Sequence, residues 1–95
     1  MSQAAKIGSI CSGHGCFPPR QTPSGSSNVF VEGIGSHRLG DYWEVHCCSG
    51  SCHGGITISA SSSVFVNGIP KARVGDTIDC GSTVMTGATT VFVGG

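Results

Sequence analysis

Short stretches in which apolar and polar residues alternate, bounded by Gly, Ser, Asn and Asp, recur along the chain. Alternation with a period of two predicts β-strands, and its clearest form, Val-Phe-Val, occurs three times. No segment carries a helical apolar stripe of useful length, so the pattern predicts an all-β fold. The alternating segments are residues 29–31, 56–59, 64–66, 83–86 and 91–93.

The first two Val-Phe-Val strands belong to a longer repeat. They lie 35 residues apart, and each is followed by an Arg-aliphatic-Gly-Asp turn whose Gly comes 11 residues after the first Val. These turns are residues 38–41 and 73–76, and the third copy keeps only its strand. Repeats of this length indicate units that must pack on one another, and 95 residues suit three hairpins around a common axis. Phe30, Phe65 and Phe92 are then related by an approximate three-fold axis.

The two Gly-Asp turns are interpreted as structural. Aspartate stabilises a tight turn by accepting hydrogen bonds from nearby backbone N–H groups, and an Arg three residues earlier can pair with it. We therefore expect Arg38 to pair with Asp41 and Arg73 with Asp76, and neither carboxylate to be catalytic. His37, directly before the first turn, is predicted to be an exposed turn residue.

The composition predicts a thin core. Of 95 residues only 38% are apolar and 16 are Gly, whose backbone loses much conformational freedom on folding. A metal, a crosslink or a partner is therefore expected to add stability. The six cysteines point first to metal binding or reduced thiols and second to disulfides, because a protein made in the cytoplasm is the default here.

Charge and hydropathy exclude several classes of function. Five basic and five acidic residues give a net charge of zero, so the chain offers no electrostatic footprint for nucleic acid or an anionic membrane. The first residues lack the continuous apolar run of a signal peptide, and no later stretch is long enough to span a bilayer. We expect synthesis in the cytoplasm and no stable membrane insertion.

Histidine and cysteine occupy equivalent places in the repeat. His53 and Cys80 each precede a strand Val by 11 residues; His14 precedes its strand by 15, because residues 17–25 form an insertion with three prolines, predicted to be an ordered surface excursion. His46 and Cys80 also follow the two Gly-Asp turns. We predict that these side chains converge on the axis and provide the four N/S ligands of a closed, structural Zn²⁺ site, with iron as the less suitable ion. The predicted ligands are His14, His46, His53 and Cys80.

The other five cysteines leave alternatives open. They are compatible with a second metal site, with small disulfide loops or with buried thiols, and Cys47 or Cys52 can replace one histidine of the predicted site. These residues are Cys11, Cys16, Cys47, Cys48 and Cys52.

Residues 64–76, which read Val-Phe-Val-Asn-Gly-Ile-Pro-Lys-Ala-Arg-Val-Gly-Asp, resemble the signature of the PAAR-repeat family, named for Pro-Ala-Ala-Arg. The resemblance covers nearly the whole chain. It departs at Lys71 and at residues 35–38, which read Gly-Ser-His-Arg. Members of this family are small β-structured cones that bind zinc near the apex and cap the trimeric β-helical spikes of type VI secretion systems, called VgrG, and of contractile phage tails.

The resemblance implies one conical PAAR domain over residues 1–95, built from three pseudo-three-fold hairpin repeats, with zinc on the four predicted ligands. Many members carry a fused effector domain, but we expect none here because the chain ends at Gly95, directly after the last strand. The resemblance also implies a non-enzymatic tip that sharpens a membrane-piercing spike, with one tip per spike trimer. Such a tip is assembled on a secretion apparatus or phage tail and delivered through the target envelope. The alternative is an adaptor that docks effector proteins onto the spike without a covalent link; a small metalloenzyme is less favoured.

Overall fold

The computed structural model describes residues 1–94, which form eight short strands paired in four antiparallel two-stranded sheets. These residues contain no helix, and so none that is long and apolar enough to cross a membrane. The predicted all-β class is confirmed. Gly95, the last residue of the predicted domain, lies outside the described residues. The strands are β1 (Ser2–Gln3), β2 (Phe30–Val31), β3 (Ile34–Gly35), β4 (Tyr42–Cys48), β5 (Ser51–Ile56), β6 (Phe65–Val66), β7 (Ile69–Pro70) and β8 (Phe92–Val93).

Each Val-Phe-Val copy forms one side of a two-stranded hairpin. Strand β2 pairs with β3 and β6 pairs with β7, and each pair is joined by two residues with positive φ. These residues are Glu32 (53°) and Gly33 (79°) in one hairpin and Asn67 (54°) and Gly68 (75°) in the other. Positive φ at both positions is the geometry of a type I′ turn, whose twist matches that of the flanking strands.

The third strand pair, which we count as the third hairpin, joins the two ends of the chain, because β8 pairs with β1. The expectation that the third copy keeps only its strand was therefore wrong. Residues 6–9, Lys-Ile-Gly-Ser, stand where the other units have Arg-aliphatic-Gly-Asp. The Oγ of Ser9 accepts a hydrogen bond from the Lys6 N–H at 3.0 Å, as the turn aspartates do from the Arg N–H groups. The repeat was hidden because Ser replaces Asp and because the unit is split between the chain ends.

Three backbone segments close a ring of hydrogen bonds on the pseudo-three-fold axis. Ala5 N–H donates to Ala72 O (3.1 Å), Ala72 N–H donates to His37 O (3.2 Å), and His37 N–H donates to Ala5 O (3.2 Å). These residues hold the same position in the three units, and we call them the axial ring. The Nζ of Lys71 is buried against the ring and donates to the carbonyls of Ala5 and His37, the latter at 3.0 Å.

The predicted pairing within the Gly-Asp turns is confirmed. Asp41 accepts bonds from the Arg38 N–H (2.8 Å) and its guanidinium (3.0 Å), and Asp76 does the same with Arg73 (2.7 and 3.1 Å). Both carboxylates are buried by these contacts, at 9% and 4% exposure. A carboxylate that closes its own turn in this way has a structural role.

The hairpins bury one face and expose the other. The last valine of each Val-Phe-Val copy is buried while the central phenylalanine is about half exposed, as alternation in a strand requires. The buried residues are Val31 (6%), Val66 (5%) and Val93 (5%), and the exposed ones are Phe30 (58%), Phe65 (56%) and Phe92 (51%).

Each unit follows the same path through the molecule. In one unit the chain runs from the β2–β3 hairpin through His37 of the axial ring and the turn at residues 38–41 to His46, a predicted ligand, and then returns toward the next hairpin. The hairpins and the predicted ligands therefore lie on opposite sides of the axial ring. The principal dimensions of 38 × 23 × 23 Å describe one elongated body with two equal short axes, as expected for a pseudo-three-fold cone.

His37 is not an exposed turn residue, as predicted, but is fully buried. Its Nδ1–H donates to the Ser24 carbonyl at 2.8 Å, so its Nε2 accepts from the Thr57 hydroxyl at 2.7 Å. Burial lowers the pKa of His37, which keeps the ring neutral at this place. The expectation failed because the equivalent ring position in the next unit is a small alanine, Ala72, which gave no sign that this position faces the interior.

Candidate metal site

Four side chains from three separate segments meet at the end of the molecule opposite the hairpins. Their ligand atoms all lie within 4.8 Å of one another. The three imidazole Nε2 atoms are closer still, at 3.2 Å (His14 to His46), 2.9 Å (His14 to His53) and 2.7 Å (His46 to His53). The structure thus brings together all four predicted ligands. We call His14, His46, His53 and Cys80 the His/Cys cluster, and the end of the molecule that holds it the apex.

Two of the histidines are placed by the β4–β5 hairpin. His46 and His53 are direct cross-strand partners, so their side chains leave the sheet on the same face. A register shift between Trp43 and His46 bends β4 just before the pair. The tip of the hairpin, with Ser49 (φ 51°) and Gly50 (φ 81°), closes the sheet three residues beyond His46.

The other two members stand on tight turns. His14 exchanges backbone hydrogen bonds with Phe17 at 3.1 and 2.9 Å, which closes a turn that also contains Gly15 in the left-handed region. Cys80 lies in a turn closed by a bond from the Ile78 N–H to the Ser82 carbonyl at 2.8 Å. Short closed turns hold a ligand with little freedom, and this favours a pre-organised site.

The tautomer of His46 suits metal binding. Its Nδ1–H donates to the Pro18 carbonyl at 2.8 Å, so the Nε2 lone pair is directed at the other two imidazoles. Burial lowers the pKa of His46; the hydrogen bond to Pro18 opposes this effect, and the nearby charge of Arg20 adds to it. The net lowering of the pKa favours the neutral imidazole, which is the form that ligates a metal.

Arg20 is buried beside the cluster at 6% exposure. Its guanidinium lies 2.7 Å from His46 Nε2 and 3.5 Å from Cys80 Sγ. Burial raises the pKa of the Cys80 thiol, but hydrogen bonds from the Ser82 backbone N–H and from Arg20 outweigh it, so that this pKa is below its ordinary value. Arg20 thus favours the thiolate, which is the form of cysteine that binds metals.

Phe17 covers the cluster from the side of the insertion. Its ring lies 4.7 Å from the ring of His14, 4.3 Å from that of His53 and 4.9 Å from that of His46, measured between centroids. The prediction of an ordered surface excursion at residues 17–25 was therefore incomplete, because this segment reaches into the molecule and supplies both Phe17 and Arg20 to the site. The only signal in the sequence was that the insertion begins three residues after His14.

The donor set fits a structural zinc ion. Zinc bonds of about 2.0 Å to nitrogen place two tetrahedral ligand nitrogens about 3.3 Å apart, which is within a few tenths of an ångström of two of the three observed Nε2 separations. Three neutral imidazoles and one thiolate fill all four positions and leave none for a substrate. The cluster is therefore compatible with a closed metal site, in which the metal would stabilise the apex.

The remaining cysteines adopt two of the alternatives that the sequence left open, a small disulfide loop and a buried thiol, and they add a disulfide between residues 32 apart that was not predicted. Cys16 pairs with Cys48 and Cys47 with Cys52 in disulfides, whereas Cys11 is a buried free thiol in the core. The preference for metal binding or reduced thiols was thus wrong for the four paired cysteines. Cys47 and Cys52 are occupied with each other, so neither replaces a histidine of the cluster.

Comparison with known proteins identifies one family. The PAAR motif matches residues 8–86, which is most of the chain. No curated protein matches at a significant level.

Proposed function

The chain belongs to the PAAR motif family, which is known from spike-tip proteins, and we propose that it is a metal-stabilised tip that caps a trimeric β-helical spike. The PAAR family is a structural tip family rather than an enzyme family. The proposed spike is VgrG-like or that of a contractile phage tail. The proposal is supported mainly by one observation: the chain has three similar hairpins around its axis at one end and the His/Cys cluster at the other end.

The hairpin end supports docking on a trimer. Three hairpins repeat around the axis, and each exposes a phenylalanine to about the same degree, at 58%, 56% and 51% for Phe30, Phe65 and Phe92. A single chain with this symmetry can present equivalent contacts to three identical subunits. We therefore propose one tip per spike trimer, held by the exposed hairpins and their phenylalanines.

The apex supports a piercing role. The His/Cys cluster draws its ligands from three separate segments, and a zinc ion on these ligands would hold the segments together under load. Structural zinc contributes about 10 to 16 kcal/mol of apparent binding free energy in small zinc peptides, which is large for a domain of this size. Zinc rather than iron is proposed because imidazole and thiolate in a closed tetrahedral site suit zinc.

Metal content and thermal unfolding test the stiffening role. We expect one equivalent of zinc per chain, identified by element-specific mass spectrometry, and a large drop in the unfolding temperature after chelation that is reversed by added zinc. A chain that purifies with zinc yet unfolds at the same temperature after zinc removal would contradict the stiffening role.

Stoichiometry tests the docking role. A purified trimeric spike is expected to bind one chain per trimer by native mass spectrometry, and Phe30→Ser combined with Phe65→Ser and Phe92→Ser is expected to abolish binding. A matched control replaces three similarly exposed apolar residues outside the three strand pairs that carry these phenylalanines, and it should bind normally. The control positions are Val45 (64%), Ile58 (52%) and Met85 (49%). Equal loss in both triple variants would contradict docking through the hairpins.

Docking of effector cargo without a covalent link stays a prediction, and one observation favours a place for it. Exposed apolar residues also occur on the flank between hairpins and apex, including Tyr42 (56%), which stands opposite Ile56 (41%) in the β4–β5 sheet. A double variant with Tyr42→Ser and Ile56→Ser that binds the spike but no longer retains a co-expressed effector would support this second role. We further propose that the tip is made in the cytoplasm and delivered through the target envelope on its spike.

A further inference from the structure

Four cysteines that the metal site does not use are concentrated at the apex. Cys16 and Cys48 have their Cα atoms 5.6 Å apart, and Cys47 and Cys52 have theirs 4.1 Å apart. We call these two pairs the apical disulfides. Every one of the four cysteines is within two residues of a histidine of the His/Cys cluster.

The two disulfides brace different contacts. Cys47 and Cys48 are consecutive in β4, so their side chains leave the strand on opposite faces. The Cys47–Cys52 bond ties β4 to β5 immediately beyond the cross-strand pair His46 and His53. The Cys16–Cys48 bond ties the turn that carries His14 to β4.

Together the apical disulfides link every segment that carries an imidazole of the cluster, and they leave one ligand outside. The turn that carries Cys80 has no covalent link to the others among the described residues. Among the described residues, Cys80 is joined to the histidines by the Arg20 guanidinium, which lies 2.7 Å from His46 Nε2 and 3.5 Å from Cys80 Sγ, and by the metal when it is bound. The histidines are held both by the metal and by the disulfides.

We propose that the apical disulfides are an oxidation-dependent lock that retains the metal in the apex. The proposal rests on the metal site of the proposed function. In the reduced chain the β4–β5 pairing keeps His46 beside His53, and the metal ties His14 to them without a covalent crosslink. In the oxidised chain the disulfides keep the three imidazoles in place, so a metal that leaves one ligand is recaptured before the others separate.

The chemistry requires a thiol oxidant of the low-molecular-weight disulfide class, such as oxidised glutathione. The thiolate of an exposed cysteine, Cys16 or Cys52, attacks one sulfur of the oxidant, and one small thiol leaves as a mixed disulfide forms. The partner thiolate, Cys48 or Cys47, then attacks the protein sulfur of that mixed disulfide, and the second small thiol leaves. Each pair loses two electrons and two protons, which convert one oxidant disulfide into two thiols.

Metal release from the full-length chain tests the lock. Zinc-loaded protein is equilibrated in reduced or oxidised glutathione, and zinc transfer to an excess of a chromophoric chelator is timed. Because a crosslink between residues 32 apart restricts separation of the segments, we expect release to be about tenfold slower, or more, in the oxidised protein. Mass spectrometry of the oxidised protein should find the pairs Cys16–Cys48 and Cys47–Cys52.

Two variants separate the lock from other effects of the redox buffer. The fourfold variant C16S/C47S/C48S/C52S should bind one zinc, release it at the rate of the reduced protein and not respond to glutathione. Cys11→Ala, which removes a buried thiol outside the apex, should keep the full response to oxidation.

The outcomes distinguish the lock from the proposed function. One equivalent of zinc that leaves at equal rates from reduced and oxidised protein, or other cysteine pairings, would overturn the lock and leave the metal-stabilised tip intact. A reduced protein and a fourfold variant that both bind no zinc would overturn the metal site itself, and the lock with it.

Discussion

The two ends of the molecule are built in different ways. At the hairpin end and in the axial ring the same backbone hydrogen bonds recur three times: the turn N–H groups of Ile7, Leu39 and Val74 each donate to a neighbouring hairpin at 2.9 Å. At the apex the ligands hold equivalent places in the repeat, but the segments that carry them differ in backbone geometry: a closed turn, a long hairpin and a second turn contribute one or two ligands each. Repeated backbone geometry thus supplies the symmetric end, while individual side chains and their chemistry hold the apex.

Removal of one metal ligand should have the largest effect, and this effect should be confined to the apex. His53→Ala is expected to abolish zinc binding and to reduce the free energy of local unfolding of the apex by about 5 kcal/mol, because the apex loses its metal. Hydrogen exchange should then accelerate in residues 44–56 and 78–82 but not at the amides of the axial ring. Val45→Ala, on the same hairpin but 64% exposed, is the control and should change neither measurement. Faster exchange in the ring as well would mean that the two ends do not unfold separately.

The pH dependence of stability tests whether the Lys71 ammonium is buried against the axial ring. Burial lowers the pKa of Lys71 to about 8, against the raising effect of Asp41 and Asp76. Since the unfolded value is near 10.5, the folded chain binds fewer protons between pH 8 and 10.5, and stability must rise with pH across that window. The gain is about 3 kcal/mol relative to Lys71→Met, which lacks the group. Chemical unfolding of both proteins from pH 7.5 to 10.5 measures it; parallel curves would show that Lys71 keeps an ordinary pKa.

The turn that each unit repeats offers a three-way comparison. Asp41→Ala and Asp76→Ala each remove a carboxylate that accepts a backbone N–H and a guanidinium, so each should lose about 2 kcal/mol of stability. Ser9→Ala removes one neutral hydrogen bond at the equivalent position and should lose about 1 kcal/mol. Urea unfolding of the three variants checks this order. If Ser9→Ala lost as much stability as the aspartate variants, Ser9 would contribute more than the single neutral hydrogen bond assigned to it in the third turn.

The sequence predicted the repeated parts of the structure better than the contacts between distant side chains. The repeated strands and turns were predictable because each carries its own signal: apolar alternation, and a Gly-Asp pair with an Arg three residues before it. The His/Cys cluster was predictable from its positions in the repeat. Arg20 and Phe17 were missed because nothing local marks a side chain that crosses from an insertion to a site. The burial of His37 and the pairing of four cysteines were missed because both depend on neighbours distant in the chain.

The smallest effect is predicted for Gly→Ala variants at two equivalent hairpin positions and at one apex position. Gly33 and Gly68 have equivalent φ values of 79° and 75°, and an added Cβ would meet nothing within 4 Å at either. Gly33→Ala and Gly68→Ala should therefore lose the same amount, about 1 kcal/mol, from the left-handed conformation alone. Gly54, beside His53 at the apex, does not have positive φ, and its Cβ would reach only the Trp43 carbonyl at 3.4 Å, so Gly54→Ala should lose less. Thermal unfolding of the three variants measures these differences. Unequal losses at Gly33 and Gly68 would show that the hairpins, although alike in backbone, differ in the support they receive from their neighbours.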